Sequence, residues 1–517
     1  MLAKVLSGAN IGLDAILITI EVDIASSGLP SFTIVGLGDR AVEESRERVR
    51  SAIRNSDVQF PAKKITVNLA PADIPKEGPN FDLPIAIGLL LASGQISQHS
   101  NSLDLSKVLA AGELSLDGSV QKTDGILSLA LLARDQKLNF IIVPEANKKE
   151  AAVVEGVNIL AINSLKQLIK ILLGQEPVQF VKKELLNLAE EIVFDYDFSQ
   201  IKGQEQAKRA LEIAAAGAHN ILLKGPPGAG KTMLCRSFPS ILPPLDLSEA
   251  IEVTRIYSIT GNLEAGKSLI SKRPFRSPHH TASAVGIIGG GASIRPGEIS
   301  LAHRGVLFLD ELPEFPRGVL ESLRQPLEDH YVTISRAQAS FTFPTQFILL
   351  AAQNPCPCGF LGDPKRVCKC MPGQVAKYKR RISGPLLDRI DIYLEVPAVE
   401  VEKLSSDLVT EDSKTIRERI ITARNIQKER FKDLPIGQPG KILTNAEMGN
   451  QEIKQFCVIT KEGLDILKMA ISSLNLSARS YHRVLKISRT IADLAQSETI
   501  LSEHIAEALQ FRAREES

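Results

Sequence analysis

Eight consecutive residues, Gly225, Pro226, Pro227, Gly228, Ala229, Gly230, Lys231 and Thr232, follow directly on the apolar run at 220–224. They match the pattern G-x-x-x-x-G-K-[ST], in which each residue type has chemistry to do. Glycines let successive backbone N–H groups turn inward around a polyphosphate with no Cβ in the way. Lys231 can reach the β- and γ-phosphates, and the Thr232 hydroxyl can sit on Mg²⁺. The helix expected to begin there adds its positive end to the anion site. Downstream, Gly305-Val-Leu-Phe-Leu-Asp310-Glu311 is an apolar run ending in two adjacent carboxylates. Asp310 is suited to hold Mg²⁺, directly or through water, and Glu311 to orient and polarise the water that attacks the γ-phosphate. Another apolar run, 347–354, ends in Asn354, whose amide can position the same water. The set reads as a site for ATP and Mg²⁺.

These tips need strands behind them. An all-apolar segment such as 306–309 fits a parallel strand buried on both faces, and open α/β sheets bind ligands at the carboxyl ends of their strands. Strands and helices alternate from 198 to 397, the pattern of a nucleotide-binding core built on a parallel sheet. Before it, 1–175 carries short strand-like segments (16–22, 65–69) among helical patterns (40–55, 83–92), an α+β domain. The stretch 176–197 is richer in charge and Pro and reads as a linker. Beyond 397, apolar residues recur at 3–4 spacing over 415–424, 463–471, 481–495 and 503–512, so 398–517 is expected to be a helical lid. With 517 residues the chain exceeds one core. The fold class is α/β multidomain.

The formal net charge is +1, so any surface for nucleic acid must be local. No apolar run approaches the roughly 20 residues of a membrane span. Asp14, Glu21 and Asp23 interrupt any secretory h-region. A cytoplasmic protein is expected. Six cysteines in so long a chain point to metal binding rather than a disulfide scaffold. Cys356-Pro-Cys358 and Cys368-Lys-Cys370 can supply four thiolates to a tetrahedral Zn²⁺; reduced free thiols or a redox pair are the alternatives. Cys235 and Cys457 read as core. Lys365, Arg366, Lys369, Lys377, Lys379, Arg380 and Arg381 fall in or just after the cysteine loop, with no acidic residue between 365 and 381. That density suits DNA phosphates, with a solvated charge run as the alternative. His279 and His280 lack a third ligand at metal spacing and read as loop residues.

A phosphate-loop unit, an Asp-Glu-tipped strand, an Asn-tipped strand and a helical tail, in that order, resemble an AAA+ ATPase. Arg273-Pro-Phe-Arg-Ser-Pro-His-His-Thr281, Gly289-Gly-Gly, Arg295-Pro-Gly-Glu-Ile-Ser-Leu-Ala-His303 and Asp310-Glu-Leu-Pro-Glu-Phe315 are similar to the magnesium-chelatase-like branch. Ser383-Gly-Pro-Leu-Leu-Asp-Arg389-Ile-Asp391 and Leu476-Ser-Ala-Arg479 extend the similarity. Over nearly its whole length the chain resembles the YifB/ComM family, bacterial ATPases linked to DNA uptake and branch migration. The resemblance implies a ring, usually a homo-hexamer, with nucleotide between subunits. Arg389 matches the arginine finger given to a neighbour, and Arg479 the second sensor arginine of the lid. Residues 331–336 would form a pore hairpin, with Arg336 as a contact to DNA phosphate.

Pro75-Lys-Glu-Gly-Pro-Asn-Phe-Asp82 and the helix after it resemble the proteolytic domain of Lon (ribosomal S5 domain 2-like). Asn80 and Leu127 stand where that family has its serine and lysine, and neither can act as nucleophile or base. The resemblance therefore implies an ATP-driven, ring-forming DNA motor, a helicase promoting branch migration during DNA uptake and recombination. The alternative is a chelatase-type or chaperone-like ATPase that remodels a protein partner. A protease is disfavoured by Asn80 and Leu127.

Overall fold

The structure, a computed structural model, describes residues 2–512 apart from 101–102, 183–193, 265–266, 292–293, 336–339, 364–365, 399–409, 434–441 and 475–476. The chain divides into two compact units, one of residues 1–188 and 247–271, the other of 189–246 and 272–517. Mixed α/β structure, a parallel sheet and a helical C-terminal region agree with the class expected from the sequence.

The first unit is built on a seven-stranded mixed sheet, ordered Asn158–Ile162, Phe140–Pro144, Val108–Ala110, Leu2–Ile11, Asp14–Ile24, Lys64–Ala70, Ser31–Val35. Its longest pairing is antiparallel, from Leu2 against Asp23 to Ile11 against Asp14. The helix Asp82–Ala92 is apolar on every side after its first residue and buried throughout, as an all-round hydrophobic helix must be. Asp82, fully buried at its start, accepts from Arg48 Nε at 2.6 Å and from the Leu114 N–H at 3.2 Å. Leu127 is fully buried in the helix Ile126–Asp135.

The helix Leu247–Ile259 lies by sequence within the stretch read as nucleotide core, yet it packs in the first unit. It buries Ala250, Val253 and Ile256. Arg255 donates to Asp14 Oδ1 and to the Leu13 carbonyl, each at 2.7 Å. Ser258 donates its hydroxyl to the buried Glu150, which also accepts from Asn147 Nδ2 at 2.8 Å and the Leu127 N–H at 2.9 Å. Burial raises the Glu150 carboxyl pKa, and these donors oppose the rise. Nothing in the local sequence signals this placement, because the helix has the same apolar spacing whichever unit it covers.

The second unit carries a five-stranded sheet ordered Phe275–Arg276, Val306–Leu309, Ile348–Gln353, Ile221–Lys224, Ile392–Glu395. Every pairing in it is parallel. The helices Ser413–Arg430, Lys461–Leu474, Ala478–Leu494 and Ser502–Gln510 follow. Their join to the sheet is polar as well as apolar. Asp493, fully buried, accepts from Arg430 Nη1 at 2.8 Å, Arg489 Nε at 3.1 Å and Asn445 Nδ2 at 2.7 Å. Asn445 and His219 both reach Thr490 Oγ1, at 3.1 and 2.8 Å. His219 Nδ1 lies 3.3 Å from Asp391 Oδ2, at the foot of the last strand. No described helix is long and apolar enough to cross a membrane.

Removing Asp493 strands two guanidinium groups away from water. Asp493→Ala should therefore cost about 3–5 kcal/mol, read as a lowered urea midpoint for the second unit. A midpoint within error of wild type would show that the cluster is not a fastening.

Candidate active site and cysteine cluster

The sheet order sets the site. Strand Ile348–Gln353 lies between the phosphate-loop strand Ile221–Lys224 and strand Val306–Leu309, with Lys224 opposite Gln353 and Leu309 opposite Ala351. The residues that follow these strands, Gly225, Asp310 and Asn354, therefore emerge along one carboxyl edge. Gly228 and Gly230 take φ of +79° and +84°, the left-handed region that a residue without Cβ enters freely. Gly230 caps the helix Lys231–Ser237.

Lys231 is 8% exposed. Its Nζ donates to the Gly225 carbonyl at 2.7 Å, the Pro226 carbonyl at 2.8 Å and Asn354 Oδ1 at 3.2 Å. Burial pushes its pKa below the usual lysine value, and the nearby Asp310 carboxylate pulls it back. The ammonium thus hydrogen-bonds only neutral oxygens, within the field of the Asp310 carboxylate. Thr232 Oγ1 donates to Asp310 Oδ2 at 2.9 Å, so the two oxygens suited to Mg²⁺ already meet. Glu311 is exposed and holds an unusual φ of +52°. A residue not assigned to the site from sequence sits beside it: His280 Nδ1 is 3.7 Å from Glu311 Oε2. Its ring meets Phe315 edge-on at 6.4 Å. The paired histidines had no metal spacing to mark them, and only the fold brings one to the carboxylate.

The two arginines fall elsewhere. Arg389 pairs with Glu328 and donates Nη1 to the Pro385 carbonyl at 2.8 Å, while its Nε is buried without a partner. Arg479 pairs with Asp388 at 3.1 Å. Neither hydrogen-bonds the phosphate loop of its own chain.

The four cysteines of the loop converge. Their sulfurs all lie within 4.8 Å of one another. Cys356 Sγ is 3.4 Å from Cys358 Sγ and 3.7 Å from Cys368 Sγ, and Cys358 and Cys368 are 3.6 Å apart. A tetrahedron with Zn–S bonds of about 2.3 Å has edges of about 3.8 Å, so the donor set fits one ion. Backbone N–H groups of Phe360 and Lys369 point at Cys358 Sγ and hold its thiol down to about 6.

Strands Tyr331–Ser335 and Ser340–Pro344 pair antiparallel as a hairpin; Arg336 lies outside the described residues, as does Lys365. Arg366, Lys369, Lys377, Lys379, Arg380 and Arg381 are exposed. Arg381 is committed within the chain, to Glu314 at 2.5 Å and the Pro313 carbonyl at 3.1 Å. The Arg366 guanidinium lies 5.1 Å from the Phe360 ring centre.

Comparison with known proteins agrees along the whole chain. The family described as "Magnesium chelatase, subunit ChlI" matches residues 197–404, "Subunit ChlI of Mg-chelatase" matches 20–147, and the ChlI C-terminal family matches 410–512. The chain is 44% identical to the Competence protein ComM of Haemophilus influenzae, over 99% of this chain and 97% of that one. It is also 44% identical to YifB of Escherichia coli, over 98% and 96% of the two. The chain belongs to the ComM/YifB family of magnesium-chelatase-like ATPases. A magnesium-chelatase 67 kDa subunit from Heliobacterium mobile is more distant, 23% identical over 44% of this chain and 37% of its own.

Lys231→Met keeps the length of the side chain and removes its charge. It should weaken Mg-ATP binding by about 1.5–3 kcal/mol, the worth of a charged hydrogen bond, measured by titration with a fluorescent ATP analogue. Unchanged affinity would detach Lys231 from the phosphates.

Proposed function

We propose that the protein is an ATP-driven ring motor acting on DNA, a helicase that promotes branch migration in DNA uptake and recombination. The observation that carries the reading is the placement of Arg389. It bonds Glu328 and Pro385 rather than its own phosphate loop, as suits a finger offered to a neighbouring subunit in a homo-hexamer. A guanidinium there matches charge spread over γ-phosphate oxygens.

In this reading Lys231 exchanges its carbonyl partners for β- and γ-phosphate oxygens when nucleotide enters. Thr232 and Asp310 hold Mg²⁺, which when bound neutralises charge on those oxygens. Glu311 takes the proton of the attacking water, which Asn354 orients. His280 faces Glu311 and sets where that carboxylate rests between turnovers. Arg479, at the start of helix Ala478–Leu494, links nucleotide state to the lid. The cysteine loop binds one Zn²⁺, and the exposed basic residues Arg366, Lys369, Lys377, Lys379 and Arg380 grip DNA phosphates without base specificity. The hairpin strands Tyr331–Ser335 and Ser340–Pro344 join them at the pore, and Arg336 is a further candidate contact to DNA phosphate. The first unit keeps a Lon-protease-like fold without its dyad, Asn80 and Leu127 replacing serine and lysine. The protein works in the cytoplasm.

A second reading, an ATPase that remodels a protein partner, is favoured by the match to magnesium-chelatase subunits. ATP hydrolysis with and without forked DNA separates the two. Stimulation, with binding that weakens steeply as salt rises, supports the motor; its absence supports remodelling.

Glu311→Gln should bind ATP and form rings yet leave branched DNA unmoved in a strand-displacement assay. Arg389→Ala should likewise bind nucleotide but lose turnover by about a thousandfold or more. Wild-type turnover by that variant would remove the finger assignment.

A further inference from the structure

The cysteine cluster touches the nucleotide site at three points. Asn354, which accepts from Lys231 Nζ at 3.2 Å, stands two residues before Cys356. The Asn354 backbone N–H faces the hydroxyl of Tyr378 and opposes the rise that burial gives its pKa. Tyr378 is buried in the helix Pro372–Lys379, which begins two residues after Cys370. Asn354 thus bonds the phosphate-loop lysine and stands beside the helix that leaves the cluster. The third point is Gly359, directly after Cys358. Its N–H donates to the Cys356 carbonyl at 2.9 Å and its φ is +84°. A Cβ placed there would lie 2.6 Å from Pro227 Cδ and 3.1 Å from Pro227 Cγ. The knuckle backbone therefore rests directly on the phosphate loop, against a proline ring that has no rotamer with which to move aside.

Apolar packing among the described residues of the loop is slight. Phe360 carries Arg366 on its face, while Leu361, Val367 and Met371 are exposed, Val367 at 88%. Between Cys356 and Cys370 the one fully buried side chain among the described residues is Cys356. What gathers these residues is the convergence of four sulfurs, and without a cation thiols bond one another only weakly.

We propose that the metal held by Cys356, Cys358, Cys368 and Cys370 is a brace for the phosphate loop, so that ATP binding and turnover depend on its occupancy. This rests on the reading of the cluster as a single-ion site. With the ion in place, Gly359 presses on Pro227 and Asn354 stays within reach of Lys231. With the ion gone, both constraints loosen together, and displacements of about 1 Å at such positions cost about a hundredfold in rate.

The test uses the full chain. Metal analysis of the purified wild type should give one zinc per chain. Chelation, followed by removal of the chelator and return of Mg²⁺, should weaken binding of a fluorescent ATP analogue about tenfold, with recovery when Zn²⁺ is restored. Gly359→Ala should keep its zinc and still lose affinity and turnover, whereas Val367→Ala, in the same loop but facing water, should change neither. The Gly359 variant separates bracing from simple unfolding, because its metal content reports an intact cluster. Wild-type nucleotide binding by both the zinc-free protein and Gly359→Ala overturns the brace while leaving the metal site standing. Wild-type protein without stoichiometric metal overturns the site itself, and the brace with it.

Discussion

A lysine that is 8% exposed, its ammonium bonded to two backbone carbonyls and a side-chain amide, sits in an unbalanced place. Burying a charge without a direct ion pair is costly, and at Lys231 the field of the nearby Asp310 and Glu311 carboxylates offsets that cost. The sheet order, the turn of the glycines and the meeting of Thr232 with Asp310 all follow from the need to present this one charge correctly. Asn354 belongs to the same constraint, since its Oδ1 accepts from the lysine at 3.2 Å.

The second unit answers a mechanical problem as well as a chemical one. A loop cut into the carboxyl edge of a sheet has no secondary structure on its open side. Here that side is covered by the cysteine knuckle through Gly359, while the opposite edge is fastened to the C-terminal helices through His219, Thr490, Asn445 and Asp493. One fastening is a loop whose four sulfurs converge and the other a buried polar chain. Both stand at strand ends, where the backbone ladder stops and side chains must take over.

Much of this could be read from the sequence because it was written in short stretches. Gly225–Thr232, the run into Asp310 and Glu311, and the paired C-x-C motifs are local patterns, and the structure gathers each as its chemistry requires. Helices 40–55 and 83–92 coincide with Arg40–Asn55 and Asp82–Ala92 to within a residue. Strand Leu2–Ile11 was harder, since Ser7, Gly8 and Ala9 are weak strand formers. It exists because Asp14–Ile24 pairs along its length and Ser7 donates to the Ala110 carbonyl at 2.8 Å. The partners of functional groups were not readable at all. Glu328 beside Arg389, His280 beside Glu311 and Tyr378 beside Asn354 are 61, 31 and 24 residues away in sequence, brought close only by the fold.

The helix Leu247–Ile259 has a consequence for inheritance. It leaves the second unit after Asp246, lends Arg255 and Ser258 to Asp14 and Glu150, and returns at Lys272. A fragment starting near residue 198 would carry Ala250, Val253 and Ile256 into water. The complementary fragment would leave a buried glutamate short of a donor. No single cut in the gene separates the two units intact, because residues 247–271 of the first lie inside the sequence of the second.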